Sequence, residues 1–490
     1  MQMRRKVLFI IFFSSSILLQ AQVGVGTSSP EGSAALDVTS TSQGFLPPRM
    51  TALQRNAISN PAAGLVLWCT DCGSNGELQV YNGTEFTNVT GGTRERTDQT
   101  RQGSDILGEA ASDGLGRAIA LSNNGQILVA GSESNDGNGS SAGHARVFQF
   151  SSSVGWTQLG TDIDGDATGD GLGTSVAISH NGSIIALGAP KNDDNGTDAG
   201  QVQVYQYVSG SWTQLGSSLE GESSGDEFGN SVALSSDGTV LAVGAPYNDG
   251  TGSDAGHVRV FKYSSGSWTQ LGSDIDGEFA GDLSGYSIDL SSDGETLAIG
   301  APLNNSNYGH IRVYDYSNNS WTQVGTDIDG SLTQGNFGVS LSLSNDGNTI
   351  ISGLLRHFDY GSSQIKVYSF SNGTWTQKGS SLSSIQDQEY FGESVSISGD
   401  GSLIAIGAYD HDGSTRNSIG RAVLYKYSSS DWVQIFGTIS GSSSGDRLGE
   451  TVVLSPNGEV LCVGIRNLDY GSNSNVGAVR VFTDLETSGL

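Results

Sequence analysis

Basic residues are scarce in this 490-residue chain: 23 lysines and arginines stand against 51 aspartates and glutamates, for a net charge of −28. Such a surface repels phosphate backbones and anionic lipid, and no basic patch with interleaved aromatics occurs, so no nucleic-acid partner is expected. It attracts cations instead. Proline is sparse too, with eight residues, and charged residues make up only 15%. What fills the space is glycine, 71 residues of it, with abundant serine, asparagine and aspartate. That mixture suits short strands joined by tight turns, and so an all-β fold.

Long apolar runs are also missing. Val7 to Leu19 is the longest, is interrupted by three serines, and is too short to span a bilayer. Preceded by Arg4, Arg5 and Lys6, it has the layout of a secretory signal ending near Ala21 or Gln22. No transmembrane segment is expected, and the chain is expected to be secreted or held on the outer cell surface. Only three cysteines occur. Cys69 and Cys72 form a lone C-x-x-C with no second ligand pair for zinc and no βαβ context for redox work. In an oxidising compartment a local disulfide is the expectation. Cys462, within Val460–Val463, reads as a buried, inert thiol.

An internal repeat dominates the rest. Its first landmark glycine recurs at Gly116, Gly173, Gly229, Gly285, Gly338, Gly392 and Gly449. The second recurs in step at Gly131, Gly188, Gly244, Gly300, Gly353, Gly407 and Gly464. Seven copies of this length are expected to be propeller blades. Each reads as four strands. In the third copy Ser231–Leu234 leads through Ser-Ser-Asp-Gly into the apolar run Val240–Val243. His257–Tyr263 alternates, and a hairpin at Ser264–Gly266 leads to a strand holding Trp268. Trp156, Trp212, Trp268, Trp321, Trp375 and Trp432 recur and read as packing residues.

The seventh copy lacks a tryptophan strand, while Gln99–Ile106 resembles the missing piece. The N-terminal side is therefore expected to supply the outer strand of the last blade and close the ring, which removes exposed sheet edges. The expected organisation is a signal peptide over 1–21, a small β-rich spacer or attachment module over 22–92, a linker and ring-closing strand over 93–102, and a seven-bladed β-propeller over 103–490.

With Phe228-Gly229 and Gly244-Ala245-Pro246 in one repeat, the chain resembles the FG-GAP repeat family, whose best-known members are integrin α-subunit propellers. The resemblance spans most of residues 103–490 and implies a propeller fold. Residues 22–92, through Ala35–Val38, Gly44–Met50 and Leu78–Thr84, resemble N-terminal regions of Bacteroidetes surface and stalk proteins. Integrin-type calcium loops lie between the two landmarks. Here that space holds only a turn such as Ser236-Asp237-Gly238, with too few oxygens for the ion, so that metal site does not carry over.

Other residues invite function. Asp162, Asp164, Asp166 and Asp170, like Asp274, Asp276 and Asp282, alternate with small residues between blades. Such carboxylates wrap calcium where the loop is tight, and otherwise satisfy local turn N–H groups. Calcium is the one cofactor suggested. His144, His257 and His310 share one repeat position and read as structural. Residues that break the repeat are the ligand-binding candidates: Arg356, His357 and Asp359 in blade five, Tyr409, Asp410 and His411 in blade six, Arg466 and Asp469 in blade seven. Propeller connectivity places them on one long-looped, acidic face. No G-x-S-x-G, H-E-x-x-H or P-loop occurs, and no catalytic residue is assigned. The leading expectation is a non-catalytic scaffold binding an extracellular protein or glycan; a polysaccharide-acting enzyme and a structural surface-layer component are the alternatives.

Overall fold

The computed structural model describes residues 23–25, 36–38, 47–51, 54–55, 58, 61–70, 77–81, 86–88, 100–332, 335–355, 362–412 and 417–485. The chain divides into two units, Met1–Arg94 and Glu95–Leu490. In the first, Val23–Val25 pairs with Leu36–Val38 in parallel. Arg49–Met50, Val66–Cys69, Glu77–Tyr81 and Phe86–Asn88 form a four-stranded sheet in that order. Leu67, Cys69 and Gln79 are its buried strand residues. Cys69 is disulfide-bonded; Cys72, its expected partner, lies outside the described residues, as does the expected signal segment.

The second unit is a β-propeller of seven successive antiparallel sheets. The third is typical: Ser231–Leu234, Val240–Ala245, His257–Ser264 and Ser267–Gln270, hydrogen-bonded in chain order. All six residues of Val240–Ala245 are buried. Neighbouring sheets cover both faces of each second strand, which is why its sequence is apolar without alternation. Blade seven has three strands of its own, Leu448–Leu454, Val460–Ile465 and Ala478–Thr483. Its fourth is Thr100–Arg101, paired Phe482↔Arg101 and Thr483↔Thr100.

The S-x-(D/N)-G turns build the inner end of the ring. In Ser235–Gly238 the Ser235 hydroxyl donates to Asp237 (2.7 Å) and accepts the Val240 N–H (3.0 Å). The second residue of each turn then bonds its neighbour through the backbone. Asn123 N–H donates to His180 O, His180 to Ser236, Ser236 to Ser292, Ser292 to Asn345, Asn345 to Gly399, and Gly399 to Pro456. Pro456 has no N–H to pass on. Asn457 donates in its place to Asn123 O, at 3.2 Å, and the circle closes.

At the other end of the inner strands the landmark glycines meet. Gly229 N–H donates to Gly244 O within its blade (3.0 Å). Across the blade boundary, a Cβ on Gly188 would lie 2.1 Å from Gly229 O, so neither backbone tolerates a side chain there.

A third contact joins the blades at their outer edge. Each tryptophan indole N–H donates to a carbonyl at the end of the preceding blade's outer strand: Trp212 to Leu159 O, Trp268 to Leu215 O, Trp321 to Leu271 O (each 2.8 Å). Trp156 donates to Gln102 O (2.9 Å), which ties blade one to the N-terminal strand of blade seven. The residue after the accepting carbonyl is a glycine in the left-handed region. A Cβ on Gly216 (φ +80°) would lie 2.8 Å from Trp268 Cδ1.

One element goes beyond the four expected strands. After each of the first five tryptophan strands, a two-residue strand returns to pair with the start of the third strand, as His257↔Asp276 and Val258↔Ile275. In three of the five it opens with a buried isoleucine, Ile163, Ile275 and Ile328, and in the other two with half-buried Leu219 and Leu382.

The outer latch is open to test. Trp268→Phe keeps the ring and loses the donor, and should cost about 1 kcal/mol. Gly216→Ala must strain φ and displace the indole, and should cost roughly 2 kcal/mol or more. Thermal and denaturant unfolding of both variants checks the order; Gly216→Ala as stable as the parent would refute the latch.

Candidate functional site at the axial mouth

The residue that follows each first-landmark glycine starts an inner strand on the long-loop face: Arg117, Thr174, Asn230, Tyr286, Val339, Glu393 and Glu450. The residues ending the second strands lie beside them. Together they form a charged and aromatic mouth. Arg117 Nη1 donates to Glu133 Oε1 (2.6 Å), Arg466 Nη2 to the same oxygen (2.9 Å), and Arg466 Nη1 to Glu450 Oε1 (3.1 Å). This network ties blade seven to blade one. In blade six, Tyr390 and Tyr409 stack with centroids 4.9 Å apart, and the Arg447 guanidinium sits 5.4 Å from the Tyr409 ring.

Two carboxylates are under-satisfied. Glu393 and Glu450 each have a sealed Oε2 without a hydrogen-bond partner. Glu393 as a whole is half-buried, yet burial, then the Glu450 charge, push its carboxyl up to about 7 against the pull of Arg117. The Tyr286 phenol is raised by burial and then by Glu393, and it also feels Tyr247, Arg117 and Glu227. Side chains from blades one, three, four and six therefore share one electrostatic environment around the axis. Tyr409 is likewise raised, by burial first and Glu393 next.

Of the expected ligand-binding residues, Arg466 and Tyr409 belong to this mouth. Arg356, His357 and Asp359 lie outside the described residues. Asp410 adjoins the mouth, where its charge raises the Tyr390 phenol after burial does. His411 turns inward: its Nδ1 is 2.7 Å from Glu389 Oε2, while Arg421 clamps the same carboxylate through Nε (3.0 Å) and Nη2 (2.8 Å). Asp469 accepts the Asn475 N–H of its own loop (2.8 Å).

The aspartates expected to wrap calcium are not gathered around a common point. Asp162-Ile163-Asp164 and Asp274-Ile275-Asp276 lead into the short extra strands Ile163–Asp164 and Ile275–Asp276, whose extended backbone does not fold into a tight loop. Asp166 accepts from Gln203 Nε2 (2.7 Å). Asp170 accepts Ala167 N–H (3.1 Å) and Asn192 Nδ2 (3.0 Å); Asp282 accepts Phe279 N–H (3.0 Å) and Asn304 Nδ2 (3.0 Å). The last two are buried loop anchors repeated by Asp113, Asp226 and Asp446.

With fold and mouth in hand, comparisons place the chain. Residues 159–205 and 220–261, the first three strands of blades two and three, match the FG-GAP repeat model. The second unit is a β-propeller built of FG-GAP repeats. Residues 24–104 match a model described as a phage tail like trimerisation region. Among solved structures, the chain resembles Kuenenia stuttgartiensis hydrazine synthase with 11% identity and a TM-score of 0.50, covering 79% of this chain and 100% of that one. It also resembles a putative 6-phosphogluconolactonase from Bacteroides uniformis with 14% identity and a TM-score of 0.49, covering 76% and 95%. The first of these shows fold alone. No curated protein matches the chain.

The mouth and the turns set opposite pH dependences. Burial pushes Asp289 up to about 6 against hydrogen bonds from Leu343 and Leu290. Asp289 and Glu393 thus hold protons more tightly when folded, so their contribution is full below the unfolded carboxylate value and is lost as pH rises through 6 to 7. Asp237, Asp346 and Asp400 go the other way. Burial would raise them, but turn hydrogen bonds led by Ser235, Ser344 and Ser398 hold them below the ordinary value. Their contribution is present above the unfolded value and is lost in acid. These carboxylates should therefore make the melting temperature fall both in acid and as pH rises through 6 to 7. Glu393→Gln should flatten the fall towards neutral pH, and an unchanged profile in that variant would contradict the assignment.

Proposed function

We propose that this chain is a non-catalytic, exported binding scaffold that takes an extracellular protein or glycan at the axial mouth of its long-loop face. The observation that carries this reading is the mouth itself: at the position least free to vary in backbone, seven blades present mostly different side chains, including Arg117, Tyr286, Glu393 and Glu450, and beside them lie the arginine-bridged Glu133 and the stacked Tyr390 and Tyr409. Architecture alone would favour one residue repeated. Tyrosine, arginine and carboxylate are the groups that recognise sugars and polar peptide surfaces by stacking and charge-assisted hydrogen bonds. Exposed Phe279, Ile385 and Tyr470 lie on loops of the same face and extend the contact area. FG-GAP repeats are typical of extracellular proteins, and no described helix is long and apolar enough to cross a membrane.

The N-terminal match supports a second part of the reading, assembly of three copies through residues 24–104. Three weak mouths on one stalk gain avidity without any new contact. Light scattering of the full chain should give a trimer mass; a monomer at micromolar concentration would remove this part and leave the binding reading intact.

The binding reading predicts capture of a ligand from arrays of extracellular glycans and matrix proteins. Tyr409→Ala should weaken that capture about tenfold or more, roughly 1.4 kcal/mol. Asn124→Ala, on the short-turn face, should not. A ligand whose affinity ignores Tyr409→Ala would refute the site, and turnover of a glycan would refute the non-catalytic reading.

A further inference from the structure

The third strand of blade four begins at His310, which is 2% exposed. Two carboxylates from the flanking inter-blade connections face its ring. Glu278 Oε2 and Asp327 Oδ2 are each 3.9 Å from His310 Nδ1. That is too far for a hydrogen bond. The imidazole makes no hydrogen bond among the described residues. Each carboxylate has its other oxygen directed elsewhere: Asp327 Oδ1 accepts from Gln323 Nε2 (2.6 Å), and Glu278 Oε1 lies 3.7 Å from Arg312 Nη1. Arg312 is anchored by donating to Asp276 O (2.6 Å). Three donor atoms are therefore left turned toward one another across an empty centre. Two ligands held about 2.1 Å from a shared ion stand roughly 3–4 Å apart, the spacing seen between His310 Nδ1 and each carboxylate. An open cavity of about 480 Å³ adjoins them and is also lined by Asp282 and Asp329.

We propose that Glu278, His310 and Asp327 form a binding site for a divalent transition-metal ion of the zinc type, with a coordination position open to the cavity. One imidazole nitrogen and two carboxylate oxygens suit zinc, cobalt or manganese better than calcium, which prefers six to eight oxygens. The same grouping recurs as Glu109, His144 and Asp162 and as Glu222, His257 and Asp274. There arginine comes closer: Arg146 is 3.4 Å from Glu109 and 3.5 Å from Asp162, and Arg259 is 3.4 Å from Glu222. A guanidinium so placed competes with a cation, so blade four is the strongest of the three.

The full chain, stripped with chelator, is titrated with cobalt(II) and followed by its visible absorption, then challenged with zinc. The expected result is a saturable site with a ligand-field band that zinc displaces. His310→Gln should weaken cobalt binding by at least roughly tenfold. Glutamine fills the same repeat position at Gln201 and Gln364, so this variant suits the fold. Circular dichroism and the melting temperature in chelator should match the parent, while the metal-induced rise in melting temperature disappears. Asp327→Asn provides a second variant with the same expectation. Absence of binding at roughly millimolar cobalt, or a tight site unaffected by both substitutions, overturns the proposal.

Discussion

The circle of backbone hydrogen bonds from Asn123 through Asn457 fixes most of what else this propeller does. Each blade gives one N–H and one carbonyl to it, so the inner turns must stand at one height and one spacing around the axis. That demand reaches back into the sequence as S-x-(D/N)-G. The serine and the acidic or amide residue hold the turn from inside and leave the backbone of the second residue free to face the neighbour. Pro456 marks how firm the demand is: the blade with no N–H at this point hands the donor role to Asn457 and the circle still closes. With the turns fixed, inner strands approach so closely at their far ends that only glycine fits, and Gly188 and Gly229 meet backbone to backbone.

Tight inner packing confines variation to a single side chain per blade. Arg117, Tyr286, Glu393 and Glu450 follow glycines that cannot change, and they project where seven chains converge. Placing Glu393 beside Glu450 in that space is unfavourable, as the upward shift of Glu393 records. Arg466 and Arg117 offset it partly by bridging Glu133 and Glu450, and leave one oxygen of each of Glu393 and Glu450 unpartnered. A structural role alone would be met by threonine or asparagine, as at Thr174 and Asn230. Like charge at a packed axis is a cost that folding does not require, and it is the ground on which the proposed binding site is put at this mouth.

The architecture was legible in the sequence because it is written in repetition. In-step glycines and apolar second strands gave the blades, and Gln99–Ile106 gave the closing strand. The aspartates were ambiguous for a local reason. Asp-Ile-Asp has the alternation of a cation loop and also of a half-buried strand, and Ile163, Ile275 and Ile328, all buried, decide for the strand. His411 looked free because it breaks the repeat, but Glu389 replaces the anchor aspartate in that blade and the longer side chain recruits both His411 and Arg421. The mouth was only partly visible, through Tyr409 and Arg466. Its other members sit one residue beyond the landmark glycines, and that column of unlike residues is the signal that would have exposed them.

The start of the third strand shows why repetition is an incomplete guide. Five blades bring this residue near acidic loop groups, and they meet the same electrostatic problem with different reach. Gln201 donates to Glu220 (3.1 Å) and Asp194 (3.3 Å), and Arg421 closes on Glu389 at 2.8 Å. Histidine in blades one, three and four is shorter and stiffer. From the same backbone position the imidazole stops 3.9 Å from the carboxylates of blade four and bonds neither. Nε2 of His144 and His257 is sealed and unpartnered as well. An unpaired buried imidazole is costly, and glutamine at this point removes the cost without disturbing the strand. Three blades nonetheless hold histidine. A residue shared between blades can therefore serve chemistry as well as architecture, and what separates the two roles here is the distance its side chain leaves open.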